Sequence, residues 1–168
     1  EVLEGSSVTL DGSASSDPDG DAITSFAWDL DGDGTFEAAG SAVTFSAALR
    51  DGPSHVYVHI QVCDEHGACG IATARVNIVN VAPTITSVVA PTLPVDINTQ
   101  PVQVGVTFTD PGVPDTHTVT VDWDDLTVET LPAVSPVTLN HTYAAPGVYT
   151  VTITVADDDG GAATWTHE

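Results

Sequence analysis

Apolar residues along this chain recur at every second position far more often than at helical spacing. The run Val56-Tyr57-Val58-His59-Ile60-Gln61-Val62 alternates in this way, and so does Val148 to Val155. A period of two sends one set of side chains to a buried face and the other to solvent, the pattern of a half-buried strand. No stretch keeps helical spacing for more than about three turns. Between the alternating runs stand Gly, Pro, Asp and Ser, each suited to turning the chain. The pattern predicts an all-β protein of short strands and tight turns.

The alternation occurs twice, in the same order. Val8-Thr9-Leu10 followed by Asp17-Pro18-Asp19-Gly20-Asp21 corresponds to Val106-Thr107-Phe108 followed by Asp110-Pro111-Gly112 and Asp115. Ser25-Phe26-Ala27-Trp28-Asp29 corresponds to the run from Val119 to Asp124, so each copy carries Trp-Asp after an alternating strand. Val58 to Asp64 corresponds to Val151 to Asp157, each ending in an acidic turn that contains Gly. The repeat length, roughly ninety-odd residues, suits one β-sandwich and is too long for a solenoid unit. Pro83 removes a backbone donor and ends the strand before it, which puts the boundary there and predicts domains over 1–81 and 82–168. A chain of 168 residues holds two such single-core domains.

Charge then narrows the function. Twenty-four acidic residues stand against Arg50 and Arg75, with no Lys, for a formal net charge of -22. Such a surface repels phosphate and anionic lipid, which excludes nucleic acid as a partner, and it calls for cations to offset its own repulsion. The acids gather beside Gly in loops, at Asp17 to Asp21, Asp29 to Asp33 and Asp157 to Asp159, where scattered solubilising charge would not. Clustering points to cation ligation; adaptation to high salt is the alternative source of the same acidity. No apolar run reaches membrane length, so no membrane insertion is expected of this segment.

Cys63 and Cys69 are separated by Asp64-Glu65-His66-Gly67-Ala68 and sit across a predicted hairpin. A disulfide is the favoured reading over two free thiols and implies a compartment outside the reducing cytosol. Cys-x5-Cys with His66 lacks the further ligands of a zinc shell. The six His residues form no local signature with a Ser or Cys nucleophile, and small sandwich loops seldom shape the cleft that a carboxylate pair needs for glycoside hydrolysis. No catalysis is expected.

In combination, Glu4-Gly5-Ser6-Ser7-Val8-Thr9-Leu10-Asp11-Gly12-Ser13, Asp17-Pro18-Asp19-Gly20-Asp21 and Trp28-Asp29-Leu30-Asp31-Gly32-Asp33-Gly34 resemble a PKD domain (polycystic-kidney-disease repeat). The second copy is similar, with Phe108-Thr109-Asp110-Pro111-Gly112, Trp123-Asp124, His141-Thr142-Tyr143, Pro146-Gly147-Val148-Tyr149 and Val155-Ala156-Asp157-Asp158-Asp159-Gly160. It departs where the usual Trp-Gly-Asp-Gly turn reads Trp123-Asp124-Asp125-Leu126, so that turn must take another conformation. The resemblance implies two tandem immunoglobulin-like β-sandwich domains from a bacterial or archaeal extracellular or surface protein. Such a pair serves as a calcium-binding spacer or adhesion segment beside other domains of the parent, and a monomer is expected. The alternative is an accessory module that holds polysaccharide or fibrous protein for a neighbouring hydrolase.

Carried over residue by residue, the resemblance implies a Ca2+ site at Glu4, Asp17, Asp19, Asp21 and Asp64 in the first copy. In the second it implies Asp110, Asp115 and Asp157, with Asn98 as a weak addition. Carboxylates so gathered raise one another's proton affinity, and a divalent cation relieves that repulsion. Turn capping is the competing role for Asp-Pro and Asp-Gly pairs. Asp29-x-Asp31-x-Asp33-Gly34 copies the start of an EF-hand loop, but position twelve is Gly40 where the loop needs Glu, which favours a structural turn. Trp28 and Trp123 are expected in the cores, and Tyr143 and Tyr149 at a sandwich corner.

Overall fold

The computed structural model describes residues 1–91 and 101–168 and divides into two compact units, Glu1–Asn80 and Val81–Glu168. The described residues form strands and turns, with no helix. Asn98 lies outside the described residues.

In the first unit the strands are β1 (Val2–Leu3), β2 (Ser7–Asp11), β3 (Ile23–Asp29), β4 (Ala38–Ala39), β5 (Ala42–Ser46), β6 (Ser54–Asp64) and β7 (Cys69–Val79). One sheet runs β1-β7-β6-β3-β4, and β2 pairs with β5 in a second. The alternation seen in the sequence decides which side chains go inward. Val58 of β6 and Val76 and Ile78 of β7 bury themselves against Phe45 of β5, Ala47 and Val2, with Val8 and Leu10 of β2 packed alongside. The predicted strand from Val56 to Val62 is the middle of β6. It pairs with β7 from Ser54↔Ile78 to Cys63↔Cys69, and the expected disulfide joins that last pair.

In the second unit the strands are β8 (Thr84–Val89), β9 (Val102–Thr109), β10 (His117–Asp122), β11 (Val128–Ala133), β12 (Val137–His141), β13 (Val151–Ala156) and β14 (Ala162–His167). They form one sheet of order β11-β10-β13-β14 and another of order β12-β9-β8. Val104, Val106 and Phe108 from β9 meet Val119, Val121, Ile153 and Val155 from β10 and β13, with Trp123 closing the cluster. Burying each of these aliphatic side chains contributes about 1.5–3 kcal/mol.

Two local departures from the sequence pattern have clear causes. The strand predicted from Val148 begins at Val151. Before it, Tyr149 stacks on Tyr143 with ring centroids 3.9 Å apart and donates its hydroxyl to the Ala145 carbonyl, while the Thr150 amide donates to Asp124. Those bonds hold the segment out of the sheet and leave Val148 in solvent. The second departure is the turn after β10, which lacks Gly. Asp124 at φ 62° and Leu126 at φ 73° take the left-handed conformation themselves, and the Trp123 amide closes the turn onto the Thr127 carbonyl.

Candidate metal centres at the loop ends

Asp64 and Asp157, the last acids of the two matched strands, are built into their units in the same way. Asp64 is buried, and its Oδ1 accepts the amides of His66 at 2.7 Å and Ala68 at 3.0 Å. Asp157 is buried, and its Oδ1 accepts the amides of Asp159 at 3.0 Å and Gly161 at 2.7 Å. Each also donates its own amide to the carbonyl four residues on, Ala68 or Gly161. The carboxylate therefore caps the turn between two strands, satisfying amides that the hairpin leaves unpaired.

A loop that carries further acids is hydrogen-bonded to each capped turn. In the first unit the Glu65 amide donates to the Ala22 carbonyl, and Thr24 donates its hydroxyl to the Asp64 carbonyl, which draws the 17–22 loop onto the β6–β7 turn. Asp17 Oδ1 accepts the amides of Asp19 and Asp21. His66 Nδ1 lies 3.2 Å from Asp21, and ligand atoms of Asp21, Glu65 and His66 fall within 4.8 Å of one another. Asp17 and Asp64 line one cavity of about 490 Å3. In the second unit Asp110 accepts the Gly112 amide and pairs with His117 at 3.0 Å, and Asp158 accepts the Thr116 amide at 2.9 Å. A β-carbon on Gly112 would fall 2.3 Å from Asp115 Oδ2, so Asp115 packs directly on the loop that carries Asp110. Carboxylate oxygens brought from separate segments to one end are the donor type that Ca2+ takes.

Glu4 does not join Asp17, Asp19, Asp21 and Asp64. Its amide donates to the Val79 carbonyl and its carboxylate accepts the Gly52 amide, at the far end of β7 from the disulfide. Nine residues of extended strand separate Ile78 from Cys69, roughly 30 Å at 3.3 Å per residue. Glu4 stands apart from the other four because β1 runs parallel to β7 at the end opposite the β6–β7 turn. Around the capped turns the structure also places Glu65, His66, His117 and Asp158, none of which belongs to the expected ligand sets. His66 was legible as the one imidazole inside the acidic turn, but nothing in the spacing marks His117, whose ring meets Asp110 and Phe108 across the loop between β9 and β10.

The EF-like segment is a cap as well. Burial opposes the charge of Asp29, yet the amides of Gly32, Gly34 and Asp31 outweigh it, and with His59 nearby they hold its pKa below the ordinary 3.8. Asp125 is held below that value chiefly by its 2.8 Å bond to His141, and Asp158 by the Thr116 amide with His117 nearby. Burial, with Asp125 close, pushes the Tyr143 hydroxyl up to about 12, and this hydroxyl donates to the Trp123 carbonyl. The depressed carboxylates set a sign. Their stabilisation is complete above the unfolded value and fades as pH falls through the lower folded values. In guanidinium titrations the stability gap between the wild-type chain and Asp125→Asn should be constant above about pH 5 and shrink below about pH 4.

Two sandwiches, each with a capped acidic turn at one end, define the immunoglobulin-like module class, whose members are typically extracellular and non-catalytic. The profile of the PKD domain matches residues 80–168, and the chain belongs to that family. The profile of a bacterial Ig domain matches residues 1–79, where the sequence resembled a further PKD repeat. No curated protein matches closely enough to count as a relative. Among solved structures, the fibronectin(III)-like modules of Clostridium thermocellum CbhA align at 14% identity and TM-score 0.38, covering 98% of this chain and 85% of that one. The human desmocollin-1 ectodomain aligns at 18% identity and TM-score 0.38, covering 99% of this chain and 34% of that one. No helix of the described residues is long and apolar enough to cross a membrane.

Proposed function

We propose that the two modules form a non-catalytic spacer or adhesion segment of a larger surface or secreted protein, with Ca2+ held at the loop ends. Asp17, Asp19, Asp21 and Asp64 would hold it in the first unit, and Asp110, Asp115 and Asp157 in the second. The observation that carries this reading is the shared architecture of Asp64 and Asp157. Each is a buried carboxylate already oriented by two amides, in a turn to which hydrogen bonds tie a distant acid-bearing loop. Bound there, the ion would supply positive charge that offsets carboxylate repulsion and ties that loop to the β-turn. Glu4 cannot share an ion with Asp17 and Asp64, and the first set stands without it.

Calorimetry tests the metal. Calcium at about a hundred times its dissociation constant should add about 2.7 kcal/mol of stability, which sodium chloride of equal ionic strength does not reproduce. Asp17→Asn and Asp110→Asn should each remove part of that gain. An unchanged melting temperature on adding chelator at physiological salt sinks the calcium assignment. Equal stabilisation by molar sodium chloride would assign the acidity to high-salt adaptation instead. The accessory-module reading needs a row of exposed aromatic rings. Among the described residues Tyr57 is the one large aromatic side chain that is strongly exposed, so that reading gains no support.

A further inference from the structure

β7 is a long strand with one side largely unpaired among the described residues. Its inner side pairs with β6 without a bulge, while on its outer side β1 reaches only Ile78 and Val79 among the described residues. The phase of the pairing is set at both ends. The Asp64 amide donates to the Ala68 carbonyl at one end, and the Glu4 amide donates to the Val79 carbonyl at the other. Antiparallel alternation then points the N–H and C=O groups of Ile71, Thr73 and Arg75 away from β6, toward the open edge. Every residue from Cys69 to Arg75 is exposed, Ile71 to 62%.

Edges of this kind are ordinarily blunted by Lys, Pro, inward charges or bulges. The chain has no Lys, no Pro falls between Pro53 and Pro83, and Arg75 is the one charged side chain of β7. Gly70, Ala72 and Ala74 keep the strand slim, so another backbone can approach closely. Beside the edge lies the cavity of about 490 Å3, whose apolar wall comes from Ile60, Val62 and Ala72 and whose polar side carries Asp17 and Asp64.

We propose that the outer edge of β7 is a docking strand for an extended, cationic segment of another polypeptide. The segment adds to the sheet through the outward groups of Ile71, Thr73 and Arg75. It places an apolar side chain against the Ile60–Ala72 wall and a Lys or Arg toward Asp17 and Asp64. Main-chain bonds supply the attachment, while the apolar wall and the carboxylates select the sequence. A net charge of -22 favours this occupant over a second copy of the chain, which would bring the same charge to the contact.

The probe is a synthetic peptide of about nine residues alternating Val and Lys, titrated in chelator into the whole chain and followed by amide chemical shifts. Saturable binding is expected, with shifts centred on Cys69–Asn77. Ile71→Pro deletes one outward donor and leaves the β6 ladder intact, and it should weaken binding by about tenfold or more. Ile71→Ala keeps the donor and should stay within about threefold. A peptide N-methylated on its edge-facing amides should lose binding to the unaltered protein, as should a peptide with Glu in place of Lys. Failure of the Val-Lys peptide to bind, equal binding by Ile71→Pro and the methylated peptide, or shifts lying elsewhere would each overturn the proposal. Concentration-dependent self-association through β7, seen by sedimentation without peptide, would overturn the assigned occupant in favour of a second copy.

Discussion

Replacing Trp123 by Ala is expected to destabilise the second unit by about 3–5 kcal/mol, read as a lowered denaturation midpoint by circular dichroism. The ring is fully buried among the valines of β10 and β13. It stacks on His141 with centroids 4.8 Å apart and meets the edge of Tyr143 at 6.5 Å. Truncation removes the transfer free energy of the indole and leaves a hole that strands paired on both sides cannot close. The indole N–H finds no acceptor among the described residues. The ring therefore contributes through packing, and Trp123→Phe should recover more than half of the loss. A loss from Phe as large as that from Ala would show that the indole N–H matters. Trp28 provides the contrast, because its indole donates to the Gly40 carbonyl at 2.8 Å, and Phe at that position should forfeit a hydrogen bond as well.

Gly52→Ala is expected to destabilise the first unit by about 3 kcal/mol, the upper end of the usual range for overpacking. A β-carbon there would lie 2.5 Å from the Asn80 nitrogen, 2.7 Å from the Val79 carbonyl carbon and 3.0 Å from the Asn80 Cα. All three are backbone atoms, so no side chain can rotate aside and the end of β7 must move. That movement also disturbs the Glu4 carboxylate, which is buried and accepts the Gly52 amide at 2.9 Å. A denaturation midpoint within error of wild type would show that the β7 end yields cheaply. Gly34→Ala makes a useful companion, since its β-carbon meets nothing within 4 Å and its penalty comes from the positive φ of 90° alone.

Much of the fold was legible because it is encoded locally. Alternation identified β6, whose Val58 the structure buries, and the two Trp-Asp pairs foretold core aromatics that the structure also buries. Asp64 and Asp157 were legible as a pair because each ends a matched strand before a Gly-containing turn. The start of β13 was misplaced since Val148 fits the alternation, yet the stacking of Tyr149 on Tyr143 captures that segment first. Nothing in the spacing of His141 announced that it would lie on Trp123 and bond to Asp125, because those contacts join the end of β12 to the turn after β10.

By itself, then, the sequence determined an all-β chain of repeated alternating strands, the two tryptophans that the cores bury, and the acids that stand in its turns. These follow from periodicity and from side-chain bonds over two to four residues, which need no knowledge of distant neighbours. Tertiary structure alone decided that Glu4 lies at the opposite end of β7 from Asp64, that Asp21 meets His66, and that among the described residues β7 keeps an open edge. Each of these depends on which strands pair and in what register. Register is a balance over the whole sheet, and no single stretch of sequence carries it.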